Sequence, residues 1–390
     1  MNHRQVSIVT ALVIGSLAGC ASQSDPGPDL AHRAYIISRE SDDLTVIDLD
    51  KLEIIGVVHT AGLQNHMGEL SADLSKIYVD SSETDQTIVV DTRTLSVTGH
   101  IATGSHPTHV SLSRDGSMLA VMNEYGNSVS FIDPVTDTEI SRLPGFFTPH
   151  FMRFSPDGAY GYVANIGAFH LTRVDLKTRQ IVDHIPLEGA EGPPNETLAP
   201  NETGFADAQI DQDGVLYAAH NATSRVLVYD TVAQRKIAER AVGAHPWIVY
   251  AEHPFAELPR RHLVPAFGDR TVSMVHTDDP ITTIDAGDME AFGVNYSPLV
   301  PDKAFVMNRL NENIRVVDTA NGTVTGTIPT GGNTETASTT ADGKWIVAAV
   351  SSSNQVIVID AKTNAIVKTF DHVGVYPWSV TIPFGQNYCH

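Results

Sequence analysis

Three segments within residues 154–175 decide the fold: Phe154-Ser155-Pro156-Asp157-Gly158, Tyr162-Val163-Ala164-Asn165 and Arg173-Val174-Asp175. The first is a hairpin turn between β-rich runs, the second a strand of branched and aromatic residues, and the third a strand that ends in Asp. The same order recurs along the chain. Leu112-Ser113-Arg114-Asp115-Gly116 repeats the turn, with looser copies at Leu70–Leu74, Ile210–Gly214, Tyr296–Pro298 and Thr339–Gly343. The Asp-ended strand returns as Val46-Ile47-Asp48, Val89-Val90-Asp91, Phe131-Ile132-Asp133, Val228-Tyr229-Asp230, Val316-Val317-Asp318 and Val358-Ile359-Asp360. An eighth copy, Met274-Val275-His276, carries His in place of Asp. The period is about 42 residues, and a fixed period of this length marks a repeat architecture.

Each unit reads as four short strands with no helical period. A sheet that small cannot bury both faces alone, so neighbouring units must stack, and radial closure protects their edges. The chain is therefore expected to be all-β, a single propeller of eight four-stranded blades over residues 31–390. The first unit starts at Tyr35 without its first strand, and Trp378–Ile382 is a spare first strand, so pairing of the two ends closes the ring. The sixth unit is the least regular, because Ala251–Arg261 interrupts its pattern.

The Tyr-Val-Ala-Asn at 162–165, the Ser-Pro-Asp-Gly at 155–158 and the Val-Ile-Asp at 358–360 resemble YVTN-type propeller repeats. The wider relatives are the cytochrome d1-like eight-bladed propellers. The resemblance spans Ala31–Pro383 and implies the fold; function must be argued from the site, since propellers host many activities.

The N-terminus reads as a targeting segment. Arg4 precedes the short apolar run Val6–Leu17, which ends in Leu17-Ala18-Gly19-Cys20. This tetrapeptide resembles the bacterial lipobox, which implies cleavage after residue 19, a lipid anchor on Cys20 and, with Ala21 next, an outer-membrane destination facing the periplasm. Residues 20–30 are then a Pro-rich tether. With Cys20 acylated, Cys389 is the one thiol left of two cysteines, so no internal disulfide forms. The net charge of −21, from 25 basic and 46 acidic side chains, disfavours nucleic acid and raises local cation concentration.

In a propeller, the loops leading into the innermost strands and those between second and third strands share one face. Aligning the units places His66, His106, His109, His150 and His245 there, all at the rim, with Asp207, Glu290, Glu335 and Tyr376 from other blades. The second-to-third loops add His170, His220, Asn123, Glu124, Asn308 and Arg309. Mixed imidazole and carboxylate sets suit Zn²⁺ or Cu²⁺. His66, His106, His109, His150, His245, Asp207 and Glu335 are thus the candidate metal ligands. His59, His100 and His184 fall on outer strands and are expected to be solvated.

Four readings follow. The first is a transition-metal binding protein, by analogy with periplasmic zinc chaperones. The second is a copper redox protein, although multicopper propeller sites take more histidines than these blades supply. The third is a cytochrome d1-like tetrapyrrole protein, with His66, His109 or His150 as axial ligand and His170, His220 and Arg309 as further contacts. A carboxylated macrocycle wants Arg or Lys around it, and Arg39 and Arg309 are the basic residues on that face. The fourth is an interaction scaffold for a periplasmic protein partner. Two other features stand out: the Pro- and Gly-rich insertion Leu187–Gly204, placed as a cover over the mouth, and the terminal Tyr388-Cys389-His390. No nucleophile lies beside a base, and no phosphate-binding Gly loop is present.

Overall fold

The protein, seen in a computed structural model, is described over residues 29–188, 203–211, 213–251, 262–276, 280–286 and 291–387, with the side chains of Glu335 and Gln386 excepted. Cys20, Glu290, Cys389 and most of the Leu187–Gly204 insertion lie outside these residues.

Eight antiparallel sheets stand around one axis. Blade 1 is built from both ends of the chain. Its innermost strand is Pro377–Thr381, which pairs with Arg33–Ser38, followed outward by Asp43–Asp48 and Glu53–His59. Tyr35 lies opposite Thr381 and Ile36 opposite Val380, so the closure expected from the spare terminal strand is the one found. The inner strands of blades 2, 3, 4, 5, 7 and 8 are Asn65–Leu70, Pro107–Leu112, Pro149–Phe154, Phe205–Ile210, Ala291–Tyr296 and Thr334–Thr339. Blade 6 has three regular strands, and isolated bridges at Pro246 and Tyr250 take the place of its innermost one. This is where the sequence pattern is interrupted. Among the described residues there is no α-helix, only three short 3₁₀ turns.

Stacking follows from the period of two along a strand. In Arg33–Ser38, Ala34 and Ile36 pack with Val347, Val356 and Val380 toward blade 8, whereas Tyr35 and Ile37 pack with Ile77, Val79 and Ile88 toward blade 2. Outermost strands such as Thr138–Pro144 alternate between exposed and half-buried residues, as expected where one side meets solvent. The recurring Asp is a turn device rather than a site residue. The Oδ1 atom of Asp91 accepts the amides of Arg93 and Thr94, and Asp230, Asp318 and Asp360 do the same two and three residues on. Asp and Asn favour such turns because the side chain mimics a backbone acceptor.

The chain's last described residues enter the ring itself. Gln386–Asn387 pairs with Ser338 and Thr339 on the inner edge of blade 8, at the end of the axis opposite the mouth. Asn387 holds this turn closed by accepting the amide of Ile382 and donating to its carbonyl, at 2.9 and 2.8 Å.

Candidate functional site

Seven inner strands carry a one-residue bulge near their start, at Asn65/Gly68, Pro107/His109, Pro149/Phe151, Phe205/Ala208, Ala291/Val294, Thr334/Ala337 and, in blade 1, Pro377/Ser379. A bulge re-aims side chains and often flanks a site. The strands' second residues include His66, Thr108, His150 and Phe292, with Trp378 at the same place in blade 1 and Trp247 just after Pro246 in blade 6. All six line one cavity of about 300 Å³ at the axial mouth. Thr108, His150, Trp247 and Trp378 each follow a proline. The preceding proline is a signal legible in the sequence, whereas imidazole and carboxylate content by itself does not point to the tryptophans.

The cavity has two unlike halves. Blades 2, 3 and 4 supply imidazoles. The His109 ring, fully buried, lies 5.0 Å from that of His66 and 3.9 Å from that of His150. His66 Nδ1 meets the Thr108 carbonyl at 2.7 Å, and His150 Nδ1 meets the Ala206 carbonyl at 2.9 Å. A carbonyl only accepts, so Nδ1 carries the proton in both rings and Nε2 keeps its lone pair. Burial is the main reason the His66 ring titrates only at about 3 and the His150 ring at about 4. Both are neutral near pH 7. The third lining histidine, His106, stacks on Tyr125 with ring centres 3.9 Å apart, between Glu83 and Glu124.

Blades 6, 7 and 1 supply the other half, made of aromatic faces and guanidinium groups. Trp247 stacks on Phe267, and Phe267 on Phe292. Arg309 lies over Phe292 at 3.9 Å and over Trp378 at 5.6 Å. Arg39 covers the same indole at 5.0 Å and donates from Nε to Gln64. The two basic residues assigned to this face from the sequence therefore both line the cavity.

Other candidates sit elsewhere. Asp207 is bound to Arg153 at 2.9 Å and to Gln209 below the mouth. His245 is exposed, with Nδ1 against Asn221 Oδ1. His170 begins a third strand, a position set back from the axis, and packs on Phe147 and His184. His220 is enclosed by Phe169 and Phe205 and bonds Thr223. Asn123 and Asn308 brace the turns of their own blades, through Gly104 and Asn313. The Glu335 side chain and Glu290 lie outside the described set. His66, His109 and His150 are also not rim residues as expected: they stand in the inner strands and are buried, because the bulges turn them into the ring. Among the described residues, the one group of three His, Cys, Asp or Glu with ligand atoms within 4.8 Å of one another is Asp29, His32 and Asp50, an exposed trio away from the mouth.

Comparison with known proteins agrees with this architecture. Residues 56–185 match the YNCE-like beta-propeller family. Among solved structures, dihydro-heme d1 dehydrogenase NirN in complex with DHE is similar with a TM-score of 0.77 at 14% identity, over 93% of this chain and 78% of that one. Apo AztD from Citrobacter koseri is similar with a TM-score of 0.64 at 12% identity, over 92% of this chain and 99% of that one. Hydrazine synthase of Kuenenia stuttgartiensis follows with a TM-score of 0.55 at 20% identity, over 76% and 95%. No curated protein matches the chain. The resemblance to YVTN-type and cytochrome d1-like propellers therefore holds, as a resemblance of fold.

Proposed function

We propose that this propeller binds a carboxylated metallotetrapyrrole at its axial mouth, with His66 or His150 as the axial ligand. The observation that carries the reading is the donor set. The mouth offers neutral imidazoles with fixed Nε2 lone pairs, yet no three described ligand atoms converge there. A bare ion needs three or four protein ligands, whereas a metal inside a macrocycle needs one or two. The aromatic half gives a flat ring faces to stack on, and Arg39 and Arg309 suit carboxylates. The similar NirN structure holds DHE, which supports the choice by analogy of fold. Bound there, the macrocycle would supply redox-active or ligand-binding metal chemistry.

A second reading, a bare Zn²⁺ or Cu²⁺ on His66, His109 and His150, is supported by the contacts among these rings and by the net charge of −21. Titration with haemin, followed by its absorption band, and with Zn²⁺, followed by calorimetry, separates the two. Haemin binding that weakens in Arg39→Gln and Arg309→Gln supports the first reading. Stoichiometric zinc with no haemin band overturns it in favour of the second.

The cellular setting is likewise a proposal: export to the periplasm, with a lipid on Cys20 tethering the propeller to the outer membrane, where it would meet a protein partner. The segment Leu17–Cys20 supports it. Mass spectrometry of the mature N-terminal peptide tests it, and an unmodified Cys20, or residues 1–19 still attached, would overturn it.

A further inference from the structure

We infer that Asp29, His32 and Asp50 form a site for a divalent first-row transition ion, which staples the start of the propeller to blade 1. The site lies at the end of the ring opposite the mouth and is independent of the mouth's ligand. His32 closes the 3₁₀ turn Leu30–His32. Asp50 stands in the turn between the second and third strands of blade 1. The two turns are docked through their backbones, with the Leu49 amide donating to the His32 carbonyl at 2.9 Å. Local hydrogen bonds then position the carboxylates. Asp29 Oδ1 accepts the Ala31 amide at 3.1 Å, which leaves Oδ2 toward the imidazole. The Asp50 amide donates to Asp48 Oδ1, also at 3.1 Å.

His32 Nδ1 lies 2.7 Å from Asp50 Oδ2 and 3.7 Å from Asp29 Oδ2, and the three ligand atoms all fall within 4.8 Å of one another. Around a tetrahedral ion with bonds of about 2.0–2.2 Å, neighbouring ligand atoms stand about 3.5 Å apart. An ion therefore fits with small side-chain movements. A simple ion pair explains less of this arrangement. His32 Nδ1 has its one acceptor in Asp50, whereas Asp29 at 3.7 Å is beyond hydrogen-bond reach. The hydrogen bond to Asp50, with the charges of Asp50, Asp29 and Asp342, holds the His32 imidazole above its usual value. Negative potential thus converges on one point, while Lys51, next in the chain, pairs with Asp48 at 2.9 Å. One nitrogen and two carboxylate oxygens suit Zn²⁺, Co²⁺ or Ni²⁺, whereas Ca²⁺ and Mg²⁺ take oxygen ligands. A separate observation marks the place as a site. A cavity of about 290 Å³ adjoins the trio, walled by His32 and Asp50 with Trp345 of blade 8 and Phe384 of the terminal turn. An ion on three protein ligands keeps a position for water or a small ligand, and this cavity gives such a ligand room.

The experiment titrates Zn²⁺ into the full-length protein at pH 7.5 with Mg²⁺ in excess, followed by calorimetry. The expected result is a stoichiometric zinc equivalent that Mg²⁺ does not displace. His32→Gln and Asp29→Asn should each weaken it by at least about tenfold. Both side chains are exposed, and Asn keeps the oxygen that accepts the Ala31 amide, so the fold is spared. Zinc should also raise the melting temperature of the wild type more than that of His32→Gln, because an ion bound to the folded state alone stabilises it. No zinc uptake overturns the inference. A zinc equivalent that His32→Gln leaves untouched places the ion elsewhere and overturns it as well. Haemin titration reads the mouth separately, so the two readings fail independently.

Discussion

The Nδ1–H of His66 donates to the carbonyl oxygen of Thr108, at the same place in the next blade's inner strand, at 2.7 Å. His150 repeats the arrangement with Ala206, and Thr336 does so through its hydroxyl with Trp378. The imidazoles therefore have a structural task, linking neighbouring blades, as well as lining the cavity. Replacing either by Ala should cost about 1–3 kcal/mol, because a buried carbonyl is left without its donor. The loss is read as a lower melting temperature. Haemin affinity should fall by about tenfold or more in whichever variant removes the axial ligand. If neither variant changes affinity, these rings are inter-blade links only.

Acid should destabilise the protein well before carboxylates titrate. His66 and His150 have folded-state values of about 3 and 4, below the 6.5 of the unfolded chain. The unfolded state then binds more protons below pH 6.5, so stability is full above that value and falls as pH drops toward the folded values. At pH 5 the loss is about 2 kcal/mol per ring. His170 and His220, lowered to about 4 by burial, act in the same direction. Urea denaturation midpoints at pH 7, 6 and 5 measure it, and a flat profile would contradict the burial of these rings.

Asp80 gives the opposite slope. It is fully buried in blade 2, with Oδ1 accepting from Thr87 and Oδ2 without a partner, and burial raises it to about 7. An acid raised on folding stabilises below its unfolded value and loses that contribution as pH climbs to the folded one. Each pH unit between about 4 and 7 thus costs about 1.4 kcal/mol. Asp80→Asn should therefore raise the melting temperature at pH 8 and change it little at pH 4.

The terminal turn should be separable from ring closure. Gly385 lies so close to the Thr339 carbonyl that a Cβ there would overlap it. Gly385→Ala should release Gln386–Asn387 from blade 8, and a chain ending at Pro383 lacks them; either should speed amide exchange at Ile382 while the fold persists. A chain ending at Tyr376 also loses the inner strand of blade 1. That exposes the edge of Arg33–Ser38, and unpaired edges invite aggregation. Light scattering distinguishes the two truncations.

The sequence by itself determined the propeller, the eight repeats and the end-to-end closure, because each is a local pattern repeated. Alternating apolar strands, Asp at 48, 91 and 133 bonding amides two or three residues on, and Ser-x-Asp-Gly turns such as 155–158 act within one blade. The sequence also named His66, His150, Arg39 and Arg309, because their positions relative to those turns put them on one face. The tertiary structure alone decided which face residues share a cavity. The inner-strand bulges turn His66, His150, Phe292 and Trp378 to the axis, while Asp207 is held by Arg153 and His170 by Phe147 and His184. Register within a blade follows from period-two patterning, but a bulge shifts one residue, and the two halves of the cavity come from segments as distant in the chain as those of His66 and Trp378. That is why the two-sided cavity, histidine on one half and arginine over aromatic rings on the other, emerges only once the ring is closed.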